Sequence, residues 1–132
     1  DNIMKTLILD IRFNENHFER IIHHEVFHII YLQHKEIFND KDWIKFNNSK
    51  FKYAECSTCT KNIGLERYEE TKGFLTEYSK STASEDMAEV YSHMISLTKK
   101  QIDLIRKLDP ILNNKISYIE SKIKQIDNSF IF

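Results

Sequence analysis

Glycine and proline are almost missing from this chain, with two of the first and one of the second among 132 residues. That scarcity argues against a linker-rich chain, and no Gly-rich phosphate loop is present. An excess of charge of either sign is also missing. The formal net charge is −1, which gives no whole-chain attraction toward nucleic acid or an anionic membrane surface. The richest apolar run, Ile21 to Leu32, is interrupted by His23, His24, Glu25 and His28, so no segment reads as a membrane span. Cysteine is limited to Cys56 and Cys59, and no second CxxC or paired histidine follows to complete a closed structural zinc site. A local disulfide or two free thiols is expected there, ahead of a redox-active pair, because no thioredoxin-like βαβ pattern surrounds them. An oxidised pair would favour a secreted or extracytoplasmic location. Internal repeats and Ser or Cys triad signatures are absent too.

What the chain does have is His24-Glu25-Val26-Phe27-His28, an HExxH pentapeptide. With six histidines and twelve glutamates in the chain, about 0.02 such motifs are expected by chance. On an α-helix, residues four apart are offset by about 40° and roughly 6 Å of rise, so both imidazoles reach one metal ion. Glu25 projects about 100° away from His24, where its carboxylate meets a metal-activated water instead of the metal. The motif therefore implies a zinc-dependent peptidase with Zn2+ as cofactor. A catalytic zinc takes three protein ligands and keeps a fourth position for water, so a third ligand has to be found.

Two candidates compete for that place. His34 reproduces the spacing of the HExxHxxGxxH metzincin signature, but Tyr31 stands where that signature has Gly. If the helix continues, His34 points about 240° round from His28, away from the metal. The stronger candidate is Glu85, with Glu89 one turn later on the same helical face. In a gluzincin-type site the first carboxylate ligates the metal and the second accepts a hydrogen bond from the far nitrogen of a ligand histidine, His24 or His28. The competing reading makes Glu85 part of a capping box with Thr82 and Glu89 a solvated charge.

Tyr78 stands seven residues before Glu85, completing a Tyr-x6-Glu-x3-Glu pattern behind the HExxH motif. Over residues 16–34 and 74–97 the chain resembles the catalytic domain of anthrax lethal factor and related zinc peptidases. The resemblance implies His24, His28 and Glu85 as zinc ligands, Glu25 as general base and Tyr78 as oxyanion stabiliser. It also implies a peptide or protein substrate. The expected fold class is α+β, mainly helical, of zincin type, with a small N-terminal sheet and packed active-site helices. A single catalytic domain over residues 1–132, excised from a larger protein, is the expected organisation. Two alternatives stay open: a catalytically inactive binding module of the same fold, and a metzincin-like peptidase that uses His34. Nothing in the sequence points to a particular oligomeric state.

Along the chain, Leu7, Leu9, Ile11 and Phe13 alternate with Ile8, Asp10 and Arg12 and predict a strand. The metal-binding helix follows, with Phe18, Ile22, Val26 and Ile29 as its core stripe and His24 and His28 on the opposite side. Residues 35–62, which carry Trp43 and Cys56, read as a partly ordered excursion beside the cleft. A short helix is expected over Ile63 to Leu75. The next helix starts near Ser84 and its apolar spacing runs to Leu108, with His93 on its cleft side. Asp109 and Pro110 then mark the N-cap and first residue of a last helix with a Leu112, Ile116, Ile119, Ile123 and Ile126 stripe.

Overall fold

The computed structural model describes residues 15–59, 64 and 71–132. Five α-helices follow in order: α1 (Glu15–Gln33), α2 (Asp40–Ile44), α3 (Ala83–Ser96), α4 (Lys99–Leu108) and α5 (Pro110–Ile126), with a 3-10 turn at Tyr78–Lys80 before α3. There is no strand among the described residues. The expected α+β class with a small N-terminal sheet is therefore corrected to a mainly helical fold. The described residues carry helical spacing and helix caps, which is why they form helices and turns. The expected strand itself, Leu7 to Phe13, lies outside the described residues, as do residues 63 and 65–70 of the expected Ile63 to Leu75 helix, whose described part, 64 and 71–75, is not helical. Among the described residues no helix is long and apolar enough to cross a membrane.

Helix α3 is the centre of the molecule. Every residue from Asp86 to Met94 is buried, and α1, α2 and α5 all pack against it. The side of α1 turned to α3 is not the apolar stripe expected from spacing. Phe18, Ile22, Val26 and Ile29 are only half-buried, whereas Arg20, His24 and Phe27 are buried. The stripe lost this contest because α3 presents carboxylates there, and polar groups that find partners can be buried in place of apolar ones. Below them the rings of Phe27 and Tyr91 lie 5.3 Å apart and close the seam.

The expected continuous helix from Ser84 to Leu108 is broken in two. Leu97 is extended, and Thr98 opens α4 with a capping box in which its side chain accepts from the Gln101 amide while Gln101 accepts from the Thr98 amide. Two satisfied end groups outweigh the continuous apolar spacing. The last helix follows its pattern: Asp109 caps it through the amides of Ile111 and Leu112, Pro110 is its first residue, and Leu112, Ile116, Ile119 and Ile123 are buried.

The segment read as an excursion holds part of the core. Trp43 in α2 is fully buried and donates through Nε1 to Asp86 Oδ2 at 2.9 Å. The same oxygen accepts from the Tyr53 hydroxyl and, at 2.6 Å, from Lys115 Nζ of α5. Lys115 also donates to the Gly73 carbonyl at 2.6 Å and lies 4.1 Å from the Phe74 ring centre. Gly73 has a φ of 91°, and a Cβ there would meet Ile111 Cγ2 at 2.7 Å, so this turn accepts no larger residue. Burial pushes the Asp86 carboxyl up and the Lys115 amine down, while each partner pulls the other back toward charge.

Removing Lys115 leaves the fully buried Asp86 carboxylate with only neutral donors, Trp43 and Tyr53, and no opposite charge. Lys115→Met should cost about 3–5 kcal/mol in denaturant unfolding, and the paired change Asp86→Leu with Lys115→Met should recover most of that loss. Equal destabilisation by the single and paired changes would show that the ion pair is not what holds α5 on α3.

Candidate metal centre

Helical spacing places His24 and His28 one turn apart on α1, and the packing of α1 on α3 brings Glu85 up to both. His24 Nε2 lies 2.9 Å and His28 Nε2 3.0 Å from Glu85 Oε2, and the two imidazole nitrogens are 3.1 Å apart. The three atoms form a nearly equilateral triangle. Tetrahedral zinc with bonds of about 2.0–2.1 Å sets its ligand atoms about 3.3 Å apart, so this donor set fits that ion with little adjustment. Two imidazoles and one carboxylate are also the right chemistry for it. Among the described residues these three form the group able to hold a metal.

Glu85 owes its availability to its neighbour. Thr82 caps α3 by accepting the Glu85 amide at 3.2 Å, while the Glu85 carboxylate turns to the histidines. The competing reading fails in both parts: Thr82 caps the helix, but the Glu85 side chain closes no capping box, and Glu89 is buried and not a solvated charge.

Behind the triangle stands Glu89, almost fully buried. Its Oε1 accepts from His24 Nδ1 at 2.8 Å, Arg20 Nη1 donates to both of its oxygens at 2.8 and 2.9 Å, and Thr76 Oγ1 donates to Oε2 at 2.8 Å. With Nδ1–H held by Glu89, a neutral His24 has its Nε2 lone pair facing the triangle. Spacing alone had left open which histidine Glu89 supports. Arg20 and Thr76 were missed; Arg20 sits one turn before His24 on the same face, a signal that was available, whereas nothing local marks Thr76.

Tyr78 and Glu25 border the same place. The Tyr78 ring centre is 5.9 Å from that of His24, and Glu85 and Ser57 lie close enough to act on its hydroxyl. Burial pushes the phenol above its ordinary value first, and the charges of Glu85 and Glu25 add to the effect. Glu25 is half-buried and close enough to Tyr78 to be felt there. Ser57 sits inside the short loop closed by a Cys56–Cys59 disulfide, the first of the two states expected for these cysteines. His34 is elsewhere: it follows the last residue of α1 and pairs with Glu36 at 3.4 Å. His93, read as a cleft or surface residue, is buried and its Nδ1 bonds to the Glu89 carbonyl at 2.8 Å.

Burial opposes charge on all three central groups, yet their mutual contacts dominate. Hydrogen bonds and charge from Glu85 and Glu89 raise His24 to about 9. Glu85 is lowered to about 2 by hydrogen bonds from His24 and His28, and Glu89 to about 2 by the His24 hydrogen bond and the charges of His93 and Arg20. In metal-free protein the glutamates add stability that is present above their unfolded value near 4.5 and is lost as pH falls toward 2. His24 adds stability that is complete below about 6.5 and is lost as pH rises through about 9. The cluster's contribution should thus be largest between about pH 4.5 and 6.5. Urea midpoints measured against pH in chelator should fall on both sides of that window, and a midpoint that climbs from pH 6.5 to 9 would contradict the assignment.

Comparison with known families matches residues 4–128 to the family described as "Putative zinc-binding metallo-peptidase". No curated protein and no solved structure matches the chain. The matched region spans nearly all of the sequence and includes the whole donor triangle, and the chain belongs to this zinc-binding metallo-peptidase family.

Proposed function

We propose that the protein is a zinc-dependent peptidase with a gluzincin-type ligand set, His24, His28 and Glu85, as the resemblance to the lethal factor family implies. The observation that carries this reading is the donor triangle, whose edges of 2.9–3.1 Å come close to the spacing of about 3.3 Å that a tetrahedral zinc requires. Bound zinc supplies Lewis acidity to the scissile carbonyl and acidifies the attacking water. Glu25 takes the proton of that water and later returns it to the leaving amine. Tyr78 donates its phenolic hydrogen to the developing oxyanion. Glu89 holds the His24 tautomer that presents Nε2. The Cys56–Cys59 disulfide supports an oxidising, extracytoplasmic setting. His34, paired with Glu36, gives the metzincin alternative no support.

Purified protein should carry about one zinc per chain and cleave members of a broad peptide library, with cleavage lost in chelator and restored by zinc. Glu25→Gln should keep the zinc and lose about 10²–10⁴-fold in kcat. Zinc bound without cleavage by the wild type would favour the inactive module instead.

A second set of variants separates the remaining roles. Glu85→Ala should strip zinc far more than His34→Ala, and the reverse order would move the third ligand to His34. Tyr78→Phe should lower kcat by about 10²–10³-fold at full zinc occupancy. An unchanged kcat in that variant would remove Tyr78 from the mechanism.

A further inference from the structure

The carboxylate that orients His24 is also joined to the turn that carries Tyr78. Thr76 Oγ1 donates to Glu89 Oε2 at 2.8 Å, and Thr76 Oγ1 itself accepts from the Ser79 amide at 3.1 Å. Ser79 Oγ lies 3.0 Å from Thr76 Oγ1 and accepts from the Thr76 amide at 3.4 Å. Thr76 and Ser79 therefore bracket the 3-10 turn from Tyr78 to Lys80 much as a capping box brackets a helix start. Thr76, Ser79 and Glu89 are essentially without solvent contact, so water does not compete for these bonds.

We propose that Thr76 is a positioning residue that registers the Tyr78 turn against the metal-binding helix through Glu89. Its hydroxyl touches both the His24 support and the Tyr78 turn, through bonds of 2.8 and 3.1 Å. A three-residue turn has little rigidity of its own, and small misplacements at a reacting centre are costly in rate. The role rests on the peptidase reading for its kinetic consequence. Its structural consequence does not.

The test uses zinc-saturated full-length chain with Thr76→Val, which keeps the shape and removes the hydroxyl, and Thr76→Ser, which keeps the hydroxyl. With a peptide the wild type cleaves, Thr76→Val should lower kcat by about 10- to 100-fold, leave KM and zinc content nearly unchanged, and have no further effect in a Tyr78→Phe background. Thr76→Ser should recover most of the rate. The Tyr78 ring resonances of zinc-loaded protein should move or broaden in the valine variant and not in the serine variant. Equal rate losses with and without the Tyr78 hydroxyl, or ring resonances that ignore Thr76→Val, would overturn the role. A wild type that cleaves nothing would sink the peptidase reading, and the ring resonances would still decide the positioning. Should the valine variant fold poorly, Thr76→Ala removes the same hydroxyl and is read in its place.

Discussion

A buried carboxylate sets how the two central helices meet. Glu89 has 1% of its surface exposed and receives hydrogen bonds from Arg20, His24 and Thr76. An ion at this depth without partners is destabilised by several kcal/mol, so the three donors must arrive together or the seam does not close. Two of them sit one turn apart on α1, which fixes the rotation of that helix about its axis. The third comes from the chain before α3 and fixes that segment too. Once α1 is rotated to satisfy Glu89, His24 has only one direction in which to point its other nitrogen, and His28 follows one turn later. The packing contact and the metal-facing geometry are therefore the same contact.

On a different side of α3, Asp86 makes the corresponding contact with Lys115, Trp43 and Tyr53. Residues 85 and 86 point about 100° apart on a helix, so the first turn of α3 is held from two directions at once. Glu85 gains from this in position and Asp86 in stability, because carboxylates near a helix N-terminus also meet the positive end of its dipole. Thr82 completes the arrangement by taking the Glu85 amide, a bond that a free carboxylate elsewhere in the turn would otherwise satisfy.

The parts of this design legible in the sequence are those set by spacing along one helix. His24 with His28, Glu85 with Glu89, Asp109 with Pro110 and the Ile116 stripe all follow from residues that are neighbours on a helical surface. The parts that were not legible depend on what lies opposite. Spacing cannot distinguish a half-buried Phe18–Ile22–Val26–Ile29 stripe from a core one, because the deciding fact is that α3 offers carboxylates to the other side of α1. Trp43 reads as a loop aromatic until Asp86 is seen beneath its indole nitrogen. Thr98 and Gln101 form a visible capping pattern, yet Ile95, Ile102 and Ile105 at helical spacing spoke for one long helix. The break shows that satisfied end groups outweighed continuity there.

The division of labour within the site favours catalysis over a structural role for the metal. The hydrophobic core of Phe27, Trp43, Met87, Ile116 and Ile119 is continuous without the donor triangle, so the fold does not need an ion to supply its cohesion. Structural zinc is normally closed by four protein ligands, whereas three converge here among the described residues. The groups left over at the border are a carboxylate and a phenol, and neither belongs to the ligand triangle. A base and a hydrogen-bond donor, the roles proposed for Glu25 and Tyr78, are of no use for holding metal, and both are what hydrolysis of a carbonyl needs. The neighbouring disulfide loop brings Ser57 close to Tyr78, so the phenol is bordered by its own turn on one side and by a cross-linked loop on the other.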